Sequence, residues 1–163
     1  MRTQKQIVGL LLALASSSPM RPAAAATATT TFQVTTNVNA ACVIKAANLV
    51  FPNYTSPQVD GQSFIVFVCT NTAQWSIGLD AGTFPGATVT ARAMTGPAGF
   101  SLNYSLFSDP TRTTNWGNTV GTDTVSGTGN GGVQIVNVYG RIPASQSPAV
   151  GGYADTITAT ITF

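Results

Sequence analysis

Apolar and polar residues alternate along much of this chain with a period of two. In "GGYADTITATITF" (Gly151–Phe163), Thr156, Thr158, Thr160 and Thr162 alternate with Ile157, Ala159, Ile161 and Phe163, the pattern of a half-buried strand. "TTTFQVTTNV" (Thr29–Val38) places Phe32, Val34 and Val38 on one side, and "QWSIGLD" (Gln74–Asp80) does the same with Trp75, Ile77 and Leu79. "SFIVFVCT" (Ser63–Thr70) is apolar on both faces and reads as a central strand covered on both sides. Further strands are expected in "ATVTARAM" (Ala87–Met94), "FSLNYSLF" (Phe100–Phe107), "NTVGTDTV" (Asn118–Val125) and "GVQIVNVYGRI" (Gly132–Ile142). Between them lie turn-rich stretches such as "PNYTSPQVDGQ" (Pro52–Gln62) and the loop "GTGNGG" (Gly127–Gly132), read as a hairpin connection. Eight or nine short strands in one domain, with no convincing helix, predict an all-β antiparallel sandwich of immunoglobulin-like kind.

The first 26 residues do not belong to this pattern. Arg2 and Lys5 precede the apolar run Ile7–Ala15, and "SSSPMRPAAAA" (Ser16–Ala26) supplies small residues for cleavage among Ala23–Ala26. This is the layout of a secretory signal peptide, and its apolar run is too short for a membrane span. Without it, Lys45, Arg92, Arg112 and Arg141 stand against Asp60, Asp80, Asp109, Asp123 and Asp155, a net charge of −1. The basic character of the whole sequence belongs to the signal, and no basic stripe is left for nucleic acid.

The two cysteines, Cys42 and Cys69, lie beyond the signal, so export to an oxidising compartment makes a structural disulfide the leading reading. Their spacing is far from C-x-x-C, and a metal site would need further ligands in a sequence without histidine. Absence of histidine also removes Ser-His-Asp and Cys-His machinery. A pair of aspartates remains as an enzymatic rival, with Asp80 and Asp155 the positions to test. Most of the aspartates read as turn formers: Asp60 before Gly61, Asp80 before Ala81-Gly82, Asp109 before Pro110. Trp75, Trp116, Tyr104, Tyr139 and Tyr153 are assigned to packing in preference to a sugar platform. Asn53-Tyr54-Thr55 and Asn103-Tyr104-Ser105 fit the glycosylation pattern, which matters only in a host that modifies exported chains. No cofactor or metal is expected.

The final strand carries no Lys or Pro to blunt its edge, whereas an unpaired strand edge invites pairing with another chain. At the other end, the alternating segment Thr29–Val38 precedes the cysteine-anchored body. One terminus reads as an open edge and the other as a detachable strand, which suggests strand addition between copies.

Four stretches carry a resemblance that sharpens this. They are "FQVTTNVNAACVI" (Phe32–Ile44), "FVCTNT" (Phe67–Thr72), "SLNYSLFSDPTRTTNWGN" (Ser101–Asn118) and "VYGRIPASQSPAVGGYADTITATITF" (Val138–Phe163). Together they resemble the spore coat protein U domain family, which includes subunits of archaic chaperone–usher pili. The most specific parts are Tyr104, Leu106, Phe107, Asp109, Trp116 and Gly117, and the Tyr-Gly-Arg-Ile-Pro…Gly-x-Tyr-x-Asp-Thr ending. The resemblance implies an incomplete immunoglobulin-like sandwich with an N-terminal donor strand and one disulfide, Cys42 to Cys69. It divides the chain into a signal peptide (1–26), a donor segment (27–40) and a pilin domain (41–163). It assigns Phe32, Val34, Thr36 and Val38 to the inward-facing donor positions, Thr36 departing from the apolar pattern. Ile157, Ala159, Ile161 and Phe163 become the acceptor groove along the C-terminal strand. The implied partners are neighbouring subunits in a homo- or heteropolymer, a periplasmic chaperone and an outer-membrane usher. The implied route runs through the inner membrane and periplasm to the cell surface or medium, with a role in adhesion or biofilm formation. Two other readings stand beside it: a self-complete secreted binding module, and a spore or surface coat protein that does not form pili.

Overall fold

The computed structural model describes residues 24–163; the expected signal peptide, 1–26, lies almost wholly outside them. The chain divides into two units, Met1–Thr36 and Asn37–Phe163. In the first, residues 24–36 have no regular secondary structure and every side chain is exposed, Phe32 at 85% and Val34 at 86%. The second begins in the same way, with Val38 exposed, and then enters an antiparallel sandwich.

Eight strands build that sandwich: β1 (Cys42–Ala46), β2 (Val59–Cys69), β3 (Gln74–Leu79), β4 (Arg92–Thr95), β5 (Ser101–Phe107), β6 (Val125–Thr128), β7 (Val133–Ile142) and β8 (Ala159–Thr162). A single 3-10 turn, Pro97–Gly99, is the only helical element among the described residues. Five strands form one sheet in the order β1-β2-β7-β5-β4, and three form the other in the order β6-β3-β8. The core lies between them. Ile65 and Phe67 of β2, Leu102, Tyr104 and Leu106 of β5, and Val138 and Ile142 of β7 meet Trp75, Ile77 and Leu79 of β3, all buried. Full burial of each such apolar side chain contributes roughly 1.5–3 kcal/mol, so alternation alone accounts for the pairing of the faces.

Cys42 and Cys69 are register partners at the ends of β1 and β2 and form the disulfide. Trp75 packs edge-on against Phe67 at 4.5 Å, Trp116 is fully buried with its Nε1 donating to the Ile77 carbonyl at 2.8 Å, and Tyr104 is buried. These three aromatics are core.

Several expected boundaries move. β2 starts at Val59, inside the stretch read as turns, because Asp60 sits opposite Arg141 on β7 and the two form a bidentate ion pair at 2.8 and 3.0 Å. Asp60 is therefore a strand residue. β2 is central in its sheet but covered on one face only: Ser63, Ile65, Phe67 and Cys69 point into the core while Phe64 is exposed at 45%. Val66 and Val68 of that outer face pair with Ile135 and Val133, also exposed. Gly127–Gly132 is not a hairpin, since β6 and β7 belong to different sheets and this loop carries the chain across. Of the run Asn118–Val125 only Val125 enters a strand, the rest being turns held by Asp123, whose carboxylate accepts from the Thr119 N–H at 2.7 Å. Of Ala87–Met94 only Arg92 onward pairs as a strand, with Thr88 and Ala91 in an isolated bridge. The C-terminal alternation pairs as a strand only over Ala159–Thr162.

Candidate functional site

β1 ends one edge of the five-stranded sheet and β8 ends one edge of the three-stranded sheet. Between these edges the sandwich opens as an apolar groove of about 980 Å³. One wall is Ala46–Tyr54, continuing from β1; the other is Leu79, Ile157 and Ala159. The floor is the inward face of β5 and β7 together with Ile65 and Met94, and the far end is closed by Pro148–Asp155. The lining holds one carboxylate, Asp155, and no cation.

The first wall is held by two bonds to β2: the Ala47 N–H donates to the Phe64 carbonyl at 3.0 Å, and the Ser63 hydroxyl donates to the Ala47 carbonyl at 2.7 Å. Its Leu49 and Phe51 then tuck inward, above paired glycines. Gly61 and Gly140 are register partners, and a Cβ on either would stand 3.0 Å or less from Leu49 or Phe51. Phe51 meets the Tyr104 ring edge-on at 6.3 Å. Tyr54 anchors the wall's end, its hydroxyl donating to the Pro143 carbonyl at 3.0 Å and accepting from the Gln146 N–H at 2.9 Å.

The second wall is set where the chain crosses between sheets. Ala154 bridges to Thr95 at the edge of β4, while Thr158 already accepts from the Asp80 N–H at 3.1 Å beside β3. At the corner between them, the Asp155 carboxylate accepts from the Thr83 N–H and hydroxyl at 2.8 Å each, from the Thr156 N–H at 2.8 Å, and from the Tyr104 hydroxyl at 2.7 Å. Burial works against its charge, but these donors outweigh it and hold its carboxyl below the ordinary range. Burial, and then the bond to Asp155, pushes the Tyr104 phenol well above its ordinary value. Asp80 Oδ1 accepts from the Gly82 and Thr158 N–H groups at 3.0 Å each.

Behind this corner lies Arg92, fully buried. Its guanidinium donates to the carbonyls of Leu79, Asp80, Val89 and Trp116 at 2.7–2.9 Å, joining β4 to the end of β3 and to the Trp116 segment. Desolvation lowers its pKa, and the charges of Tyr104, Asp80, Asp155 and Asp123 work in the opposite direction. Of the two aspartates singled out as an enzymatic rival, Asp155 thus holds backbone and hydroxyl donors with both oxygens, and Asp80 holds two backbone N–H groups through Oδ1. Asp109 does likewise in an exposed loop, accepting from Thr111, Thr113 and Thr114; the Thr111 hydroxyl bond, followed by the Thr114 N–H bond, depresses its carboxyl strongly.

The structure distributes the four C-terminal positions unequally. Ile157 and Ala159 line the groove; Ile161, register partner of Ile77, packs against the core but is not part of the lining; Phe163 is 54% exposed. Phe32, Val34, Thr36 and Val38 are exposed and in no strand. The floor residues Leu102, Tyr104, Leu106, Val138 and Ile142 and the wall residues Leu49 and Phe51 were not assigned to a groove by the sequence. The alternation of β5 and β7 identifies the inward floor positions, whereas Leu49 and Phe51 carry no strand signal.

The Spore Coat Protein U domain family matches residues 28–160. The chain belongs to that family. It is 37% identical over 180 residues to Protein U of Myxococcus xanthus, covering all of both chains. Among solved structures it is similar to a chaperone–tip adhesion subunit pre-assembly complex from the archaic chaperone–usher Csu pili of Acinetobacter baumannii. That match has a TM-score of 0.56 at 24% identity and covers 77% of this chain. The chain spans 40% of the length of that neighbour, and the likeness establishes the fold. The residues most specific to the family resemblance have structural work here: Tyr104 and Asp155 bond each other, Trp116 fills the core, Asp109 organises its loop, and Gly140 makes room for Phe51.

Proposed function

We propose that this protein is a non-enzymatic structural subunit of an exported surface fibre of the archaic chaperone–usher kind, polymerising by donor-strand exchange. The observation that carries the reading is the open apolar groove between β1 and β8 in a chain that also exposes an uncharged alternating segment. In this reading Phe32, Val34, Thr36 and Val38 of one copy enter the groove of the next, with Ile157, Ala159, Ile161 and Phe163 along the receiving strand. Main-chain bonds to the free edges of β8 and the Ala46–Phe51 wall supply strength, and alternate side chains fix register. An inserted strand adds no charge to a lining that offers no cation. Before assembly a periplasmic chaperone covers the same groove, and an outer-membrane usher exchanges it for the next subunit. Family membership and the fold shared with a subunit of such a pilus support this, as does the expected export signal. Fibres of this kind serve adhesion and biofilm formation.

The test compares the exported chain with a rearranged chain in which Thr29–Asn39 follows Phe163 through a flexible linker. Size exclusion and thermal unfolding should show ladders or an unstable natural chain beside a stable rearranged monomer. A natural chain that is already a cooperative monomer, unchanged by the rearrangement, would overturn the reading. The end-to-end match to Protein U, within a family named for spore coats, favours a second reading as a coat component. Short oligomers in place of fibres would favour it.

A further inference from the structure

Resting on the strand-exchange reading, we infer that Asp155 is a positioning residue for strand uptake, aiming the Ile157–Ala159 wall through its bond to Tyr104. Ala154 and Thr158 are each held by their neighbours, and the residues between them, 155–157, have no main-chain pair among the described residues. The chain leaves the β4 edge at the Thr95–Ala154 bridge and first pairs beside β3 at Thr158. Between those points the main chain crosses from one sheet to the other at the mouth of the groove, and Ile157 projects into the groove from the crossing.

What fixes the crossing is the carboxylate. Tyr104 approaches it from the groove floor on β5, and Thr83 from the loop beyond β3, so one side chain ties both sheets to the corner. The fit is close: Gly82 has φ +85°, and a Cβ there would overlap the Asp155 carboxylate. The other charged or titratable groups around it are Arg92 on β4, Asp80 after β3, and Asp123, whose charge also reaches Arg92. None of them bonds Asp155 directly. A strand entering the groove meets a wall already held in place, so the ordering cost is met before it arrives.

The experiment titrates a fluorescent peptide of residues 27–40 with the full chain, at concentrations where the chain itself remains unpolymerised, and follows anisotropy between pH 7 and pH 3. Tyr104→Phe keeps the ring in the core and removes the hydroxyl; Asp155→Asn keeps the shape and removes the charge; Thr83→Ala removes the second hydroxyl donor. A hydrogen bond to a charged group being worth about 1.5–3 kcal/mol, Tyr104→Phe and Asp155→Asn should weaken peptide uptake by roughly tenfold or more. Near-UV dichroism of each variant should remain that of the native chain. Wild-type uptake should fall as pH drops through the carboxylate range, and Asp155→Asn should lose most of that dependence. Uptake by the wild type with no change in the variants or in their pH profiles overturns the role of Asp155 alone. No uptake by the wild type overturns the strand-exchange reading, and the role of Asp155 with it.

Discussion

Gly61 and Gly140 face each other across β2 and β7, and the ring of Phe51 lies over the hollow that their missing side chains leave. Two small residues on neighbouring strands thus admit a large one from a segment that is itself not in the sheet. The consequence is directly measurable. A Cβ at residue 140 would stand 2.6 Å from Phe51 Cζ and 2.9 Å from Leu49 Cδ1, so Gly140→Ala should push both side chains out of this hollow. Overpacking of this kind costs about 1–3 kcal/mol. Urea unfolding should show the loss, and Gly61→Ala, where the nearest contacts are 3.0 Å, should lose less.

Arg92 should be among the least replaceable residues. Arg92→Met leaves four carbonyls without their donor, and removing a buried charged partner costs about 3 kcal/mol or more. Arg92→Lys should recover little, since a single ammonium cannot reproduce the planar fork that spans Leu79, Asp80, Val89 and Trp116. Denaturant midpoints of the two variants, taken side by side, check both statements.

The disulfide closes a separation of 27 residues, which the chain-entropy account values at roughly 3 kcal/mol. Unfolding the protein with and without reductant should show a difference of that order. A Cys42→Ser, Cys69→Ser double variant should behave like the reduced chain, with no further sensitivity to reductant.

Acid should destabilise the protein. Asp155 and Asp60 both have folded pKa values below their unfolded ones, Asp60 chiefly through its bond to Arg141 and with burial opposing. Groups depressed in this sense stabilise the fold above the unfolded carboxylate range, near pH 4, and lose that contribution as pH falls through their folded values. Tm should therefore be level from pH 7 to about pH 5 and fall below that. Asp155→Asn should lower Tm at pH 7 and flatten the acid limb, whereas Asp60→Asn, in a solvent-screened pair, should change Tm little.

The exposed arm should separate stability from assembly. Phe32 and Val34 are almost wholly solvent-facing, so Val34→Asp should leave Tm of the sandwich within a degree or so, as exposed changes generally cost under about 0.5 kcal/mol. On the proposed function it should abolish ladders on size exclusion, and Thr36→Ile should strengthen them by filling a position the threonine leaves shallow.

Much of the sandwich was legible because alternation with period two is a local signal: β3, β5 and β7 fall where the pattern places them. The misread pieces share a different cause. Asp60-Gly61 has turn composition, and partners distant in sequence, the β7 ladder with Arg141 and Gly140 and the Arg112 guanidinium, hold it as a strand. Phe64, Val66 and Val68 read as buried because apolar character does not say whether a second layer lies above; among the described residues Phe64 is exposed and the two valines are half-buried. Gly127–Gly132 has hairpin composition, but sheet membership is decided by which strands find partners. For the groove, the C-terminal alternation pointed to Ile157 and Ala159, while the floor follows from the strand order β1-β2-β7-β5-β4, which no local pattern encodes.

The position of the disulfide carries a mechanical consequence. A pull applied through residue 41 meets Cys42 one residue later, and the covalent bond passes that force to Cys69 at the end of β2. Strand β1 is thereby bypassed and cannot be peeled from its neighbour one hydrogen bond at a time. The load enters an eleven-residue strand whose pairing with β7 runs from Val59 to Val68. On the proposed function, an arm seated in a neighbouring copy is thereby tied covalently to the longest strand of the sandwich.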